Sequence, residues 1–196
     1  MRALDLLILA AALVASLCWG ASSASAASEA SKAAGGSGSV GATVGFMWID
    51  VAQANTRRSA WTGGLRAEFL VAEVSAGRIR AELATFHAKV GGSTETVAVD
   101  TSYHAAMIMG SGGIRLGPLE PYVSTGPGIW LTRTTTTIEG AKSSTAGFRP
   151  GVAALVGIRG AGVLIPRIEG GFVARPGRSA WVASVGLAWP WGSASP

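Results

Sequence analysis

Three short stretches place an arginine two positions before a glutamate: "LRAEFL" at 65–70, "IRAELA" at 79–84 and "PRIEGG" at 166–171. Residues two apart share a face on a β-strand, where successive side chains alternate. On such strands Arg66 and Glu68, Arg80 and Glu82, and Arg167 and Glu169 stand together. Leu65, Phe69, Ile79, Leu83, Leu164, Ile168 and Phe172 occupy the opposite rows. Guanidinium and carboxylate groups held away from water neutralise each other through charge-assisted hydrogen bonds. Whether these six are held away from water depends on which strand face is wet.

Other reactive groups are sparse. The two histidines, His87 and His104, have small or apolar neighbours and no carboxylate at metal-ligand spacing. An exposed or hydrogen-bonded imidazole is the expectation for each, and no metal or cofactor is expected. The glycines of "GSGG" and "STGPG" are not followed by a helical pattern, so they make poor phosphate loops. The single cysteine, Cys18, lies in the N-terminal segment. Once that segment is removed, no disulfide or thiolate site remains.

The N-terminus combines Arg2, an apolar stretch from Leu6 to Trp19 and an Ala24-Ser25-Ala26 site. Residues 1–26 therefore read as a cleaved signal peptide. Small polar residues 27–39 read as a flexible leader. A single β-rich domain over 40–191 and a tail at 192–196 complete the chain. The net charge of +5 is dispersed rather than clustered. That argues against nucleic acid and makes anionic lipid or lipopolysaccharide the better counter-charge.

The elements that must position these residues are strands. Past the leader, alternation and turn signals recur while the helical period is nearly absent. The pattern predicts eight strands at 40–51, 59–73, 78–90, 101–116, 119–133, 145–159, 163–174 and 179–191. Connections such as "AQANTRR", "GGSTETVAVD" and "TTTTIEGAKSS" are long, and those between them, such as "VSAG" and "GP", are short. In an up-and-down meander this gives one end long loops and the other tight turns, as in transmembrane barrels. "RTTTTIEGAKSST" reads as a polar hairpin tip projecting outward. The mean hydropathy is +0.39 with 28 glycines, yet beyond the N-terminus no apolar run reaches the roughly 18 residues of a spanning helix.

Two arrangements fit the alternation. A soluble barrel or sandwich points its apolar rows inward, and a membrane barrel points them at lipid. Three considerations favour the membrane barrel. The rows carrying Arg and Glu are otherwise rich in Gly, Ala and Ser, which leaves room inside a narrow eight-stranded barrel. Tryptophans fall at strand ends: Trp48, Trp61, Trp130 and Trp181 toward the long-loop end, Trp189 and Trp191 toward the other. Such rings mark membrane–water boundaries, although Trp130 alternates with Gly126 and Gly128, which belong inside. An arginine facing lipid near the midplane costs about 2–4 kcal/mol. Arg66, Glu68, Arg80, Glu82, Arg167 and Glu169 are accordingly expected to fill the lumen as an ion-pair network, paired across neighbouring strands. Trp48, Trp61, Trp181, Trp189 and Trp191 are the expected interface aromatics. Strands four and six fit either parity poorly, which leaves Arg115, Arg149 and Arg159 unassigned.

"LGPLEPYVSTGPGIWL" at 116–131 resembles a recurrent stretch of small bacterial outer-membrane β-barrel proteins. There a tight turn leads into Pro-Tyr and alternating glycines, matched here by Pro121, Tyr122, Gly126 and Gly128. "RIEGGFV" is similar to the penultimate strand of that family, and "SVGLAWPW" to its closing strand. The family usually ends on an aromatic residue read by the barrel-assembly machinery, whereas "GSASP" follows Trp191 here. The resemblance implies an all-β, eight-stranded antiparallel up-and-down transmembrane barrel in the cell outer membrane. Such a barrel is porin-like in shape, monomeric, surrounded by lipid and lipopolysaccharide, and inserted by the assembly machinery. A non-enzymatic structural or surface-interaction role is the leading expectation. A small pore, a lipid-modifying enzyme with a rim role for His87, and a soluble periplasmic lipocalin-like carrier remain alternatives.

Overall fold

The computed structural model describes residues 37–51, 56–74, 77–176 and 178–192. The expected signal peptide, the leader before Ser37 and the tail beyond Gly192 lie outside the described residues. Eight strands run in chain order: β1 (Gly38–Val51), β2 (Thr56–Val74), β3 (Gly77–Ser93), β4 (Val97–Ile114), β5 (Leu119–Ile138), β6 (Ala141–Gly160), β7 (Ile165–Arg175) and β8 (Arg178–Trp191). Each pairs antiparallel with the next, and β8 returns to β1 through a register from Gly38↔Trp191 to Ile49↔Ala180. The sheet closes without an edge over this height, which satisfies its backbone groups internally. β1 begins two residues before the sequence boundary, so Gly38 and Ser39 belong to the wall rather than to the leader.

The long–short alternation of connections does not appear as loop length. Much of what reads as long loop is strand. β3 and β4 pair out to Ser93↔Ala98, and β5 and β6 pair out to Ile138↔Ala141. The threonine run from Thr134 to Thr137 is polar but β-branched, and β-branched residues suit a pleated surface. Its hydroxyls join across strands, with Thr135 Oγ1 2.9 Å from Ser144 Oγ and Thr101 Oγ1 3.2 Å from Thr134 Oγ1. Glu139 (φ 48°) and Gly140 (φ 87°) form the tip. Two positive-φ residues between strands are the signature of a type I′ hairpin turn. β6 meets β7 only from Val152↔Ala174 toward Arg159↔Arg167. Among the described residues, the 141–151 portion of β6 therefore has β5 as its one sheet neighbour. β3 to β6 thus continue past the rim as a sheet. We call this the hairpin end, and the opposite one the terminus end.

The oily rows face outward. Leu83 and Leu187 are 50% and 56% exposed, as are Leu65, Phe69, Ile108, Ile129, Val156 and Ile168 to a similar degree. Arg66 and Glu82 are 4% and 2% exposed. This excludes the soluble arrangement with an apolar core and charges in water. The strands of ambiguous parity resolve as well. β4 turns Tyr103, Ala105, Met107, Met109 and Ser111 inward, and β6 turns Ala153, Leu155 and Arg159 inward. Their sequences were ambiguous because both rows are apolar: Met107 and Met109 lie opposite Ile108, and Leu155 opposite Val156.

The interior has two layers. Toward the hairpin end, Met47, Ile49, Phe86, Tyr103, Met107, Trp130, Leu155, Val173 and Val182 form a dry cluster. Toward the terminus end the filling is charged. Inner glycines accommodate the largest side chains of both layers. A Cβ on Gly151 would lie 2.5 Å from the Trp130 ring, and one on Gly157 would lie 2.8 Å from Tyr122 Oη.

Candidate functional site

The charged layer is built from one or two inward positions on each of six strands. β2 supplies Arg66 and Glu68, β3 Arg80 and Glu82, β5 Glu120 and Tyr122, β6 Arg159, and β7 Arg167 and Glu169, while β8 contributes Ser184. Four arginines and four glutamates are buried here, so formal charge cancels inside the wall. Arg66 donates from Nη1 to Glu82 Oε2 at 2.8 Å and from Nη2 to Glu169 Oε1 at 2.7 Å. Arg159 Nη1 donates to Glu68 Oε2 at 2.7 Å, and its Nη2 lies 3.5 Å from Glu82 Oε1. Arg80 grips Glu120 with both terminal nitrogens, one at 2.9 Å from Oε2. Arg167 contacts Glu68. Neutral donors add to oxygens already held by arginine: Ser39 and Arg159 share Glu68 Oε2, Ser124 and Arg66 share Glu82 Oε2, and Ser184 and Arg66 share Glu169 Oε1.

Tyr122 is the hub. Its hydroxyl donates to Glu169 Oε2 at 2.7 Å. Its ring lies 4.1 Å from the Arg159 guanidinium carbon and 5.4 Å from that of Arg167. Cation–π attraction of this kind is strongest where the cation has been stripped of water.

The pairing pattern differs from the expected neighbour-to-neighbour one. Arg66–Glu82 does join adjacent strands. Arg66–Glu169 and Arg167–Glu68 instead bridge β2 and β7, with β1 and β8 between them, and Arg159–Glu68 spans the lumen from β6 to β2. Within each of the three Arg-x-Glu units no ion pair forms among the described contacts. Two side chains of one strand row project in parallel, while opposite walls of a narrow barrel bring long side chains tip to tip. Charges also fill only one half of the lumen, because the other half is occupied by the apolar cluster. The sequence reading missed Glu120, Tyr122, Ser124, Ser39 and Ser184, and left Arg159 unassigned. The alternation Glu120, Tyr122, Ser124 within "LEPYVS" was the available signal. Arg115 lies at the terminus rim, 3.6 Å from Glu73. Arg149 is exposed at the hairpin end.

Below the network the terminus end opens into a vestibule of about 410 Å³ lined by Glu73, Arg78, Arg80, Arg115, Glu120 and Trp191, among others. Arg80, Glu120 and Arg159 form its floor.

Trp48, Trp61 and Trp181 lie on the outer surface toward the hairpin end, and Trp189 on the outer surface toward the other. Phe46 and Trp61 rings are 4.1 Å apart between centroids. Trp191 is half-buried, edge-on to Phe69 with centroids 5.4 Å apart. Trp130 is inside rather than in the girdle, 4% exposed and edge-on to Tyr103. Its row includes Gly126 and Gly128, and parity overrides its position near the strand end. The two histidines, seventeen positions apart in the chain, are register partners on β3 and β4, with Nδ1 atoms 3.1 Å apart.

A closed eight-stranded meander with hydrocarbon-like outer rows and neutralised charges inside is a transmembrane β-barrel of the outer-membrane kind. Solved structures of that kind share its architecture. The attachment invasion locus protein Ail of Yersinia pestis superposes with a TM-score of 0.59 at 10% identity, covering 80% of this chain and 99% of that one. Neisserial surface protein A superposes with a TM-score of 0.55 at 12% identity, covering 78% and 96%. At these identities the likeness is one of fold. No protein-family model matches the sequence, and no curated protein matches it.

Proposed function

We propose that this protein is a non-enzymatic outer-membrane barrel whose lumen is plugged by its own side chains and whose protruding sheet serves surface interaction. It resides in the outer membrane, with lipid and lipopolysaccharide around the apolar rows and tryptophans at the two boundaries. It enters through the barrel-assembly machinery and acts as a monomer. The observation that carries this reading is the two-layer filling of the lumen. Met47, Met107, Leu155 and Val173 are at most 1% exposed, and beneath them the buried arginines and glutamates are committed to one another. Side chains bound in this way leave little free for a substrate and little space for ions. The exposed, hydroxyl-rich sheet formed by the ends of β3 to β6 is the part that projects from the membrane. The two similar structures are named for attachment and for the cell surface, which agrees with such a role.

Planar-bilayer recording of the purified full chain tests the plugged lumen. The expected result is no steady conductance, and a large stable one would establish the pore reading instead. Detergent-free fractionation tests residence: recovery in the soluble periplasmic fraction would establish the carrier. For the surface role, a cysteine placed at Ser144 is expected to react with a membrane-impermeant maleimide on whole cells. Protection until lysis would reverse the orientation.

A further inference from the structure

His87 and His104 lie on the outer wall, outside the lumen and unconnected with its network. Both are exposed, and they face each other directly in the β3–β4 register. Their Nδ1 atoms are 3.1 Å apart, while the ring centroids are 4.4 Å apart with the planes inclined by 39°. In a head-on N–H···N bond the centroid separation exceeds the nitrogen separation by a ring radius on each side. The observed excess is smaller, so the rings stand side by side and their Nδ1 atoms lie at neighbouring corners. Imidazole nitrogens bind zinc-like cations at about 2.0–2.1 Å. Two nitrogens at the observed separation would subtend roughly 100° at such an ion, within the range of tetrahedral and square-planar geometries.

The approach is open. Gly63 is the β2 register partner of His87 and presents no side chain there. Of the nearby outer charges, Lys89 and Asp100 lie 3.7 Å apart, while Arg133, the β5 register partner of Ser102, is exposed on the same face. Both histidines are held by a paired backbone, so the two ligands are pre-positioned rather than gathered at binding.

We propose that His87 and His104 form a two-imidazole site for a late first-row divalent cation, with water completing the coordination. The ligand set favours copper, nickel and zinc over magnesium or calcium, which prefer oxygen. Its place on the outer wall toward the hairpin end puts the ion at the membrane boundary, where a second group from a neighbouring molecule can take an open position.

The test uses the full chain, folded in detergent and free of any polyhistidine tag, titrated calorimetrically with Ni²⁺ and separately with Mg²⁺. One-to-one saturable Ni²⁺ binding without Mg²⁺ binding is expected. Loss of a partner that merely supports a metal ligand typically weakens binding about 10–100-fold. His87→Ala and His104→Ala are each expected to weaken Ni²⁺ binding by at least that much, and the double variant scarcely further. Cu²⁺ bound to the wild type should show electron-spin-resonance splitting from two nitrogens, reduced to one in either single variant. Heat-modifiable gel mobility confirms that each variant is folded. Equal Ni²⁺ affinity in wild type and double variant, or Cu²⁺ spectra without nitrogen splitting, would overturn the site.

Discussion

Arg66 on β2 meets Glu169 on β7 across the lumen, Nη2 to Oε1 at 2.7 Å, and Glu169 in turn accepts from Tyr122. This one carboxylate therefore ties three walls together. Removing one partner of a buried pair costs roughly 3–5 kcal/mol, because the other is left charged and dry. Glu169→Ala is expected to lower folding stability in lipid vesicles by that order, read from urea titration of gel mobility. Combined with Arg66→Ala, the loss should be smaller than the sum of the two single losses, as for any directly coupled pair. Additive losses would show that the contact contributes little.

A second expectation concerns space. The Tyr122 ring occupies the volume that a side chain at Gly157 would need. Gly157→Val should displace the hub and destabilise the barrel by about 1–3 kcal/mol, the usual cost of overpacking. Gly110 has open space around it, and Gly110→Ala is expected to be close to neutral. Equal losses at both positions would indicate a generic glycine effect.

The outer rows predict depth dependence. Leu83→Arg places a charge in the apolar band and should cost about 2–4 kcal/mol if it lies near the midplane, falling toward zero at the boundaries. Ala98→Arg, in the outward row of the protruding sheet, should cost almost nothing. Urea titrations of both variants in the same vesicles measure the gradient, and a flat profile would contradict the lipid-facing assignment.

Fluorescence separates the tryptophans. In single-tryptophan variants, lipids brominated near the headgroup are expected to quench Trp61 and Trp181 strongly. Trp130, enclosed with Tyr103 inside the wall, should be quenched little. Strong quenching of Trp130 would place it on the outside.

The hairpin tip offers a local test. Gly140 holds a positive φ of 87°, which costs a β-branched residue about 1–3 kcal/mol. Gly140→Val should accelerate hydrogen exchange in residues 132–147 while leaving the barrel's urea midpoint unchanged. A fall in the midpoint would mean that the protruding sheet and the barrel fold as one unit.

What the sequence could and could not reveal follows from the range of each signal. Strand identity is local. The two-residue period of "RIEGGF" or "WVASVGLAW" is visible in any short window, and an arginine's aversion to lipid makes parity decidable wherever one row is charged. β4 and β6 lacked that contrast, since methionine and leucine inside resemble isoleucine and valine outside. The projecting sheet was hidden by composition: Thr134 to Thr137 read as loop because they are polar, although their branching favours a strand.

The sequence by itself determined an even set of amphipathic strands with lipid-compatible rows and buried charges, because alternation and burial cost act within a single segment. Only closure of the barrel decided which groups meet. Arg66 finds Glu169, Tyr122 lies beneath Arg159, and His87 faces His104 because strand register and the narrow lumen bring together residues far apart along the chain. No local pattern records that geometry.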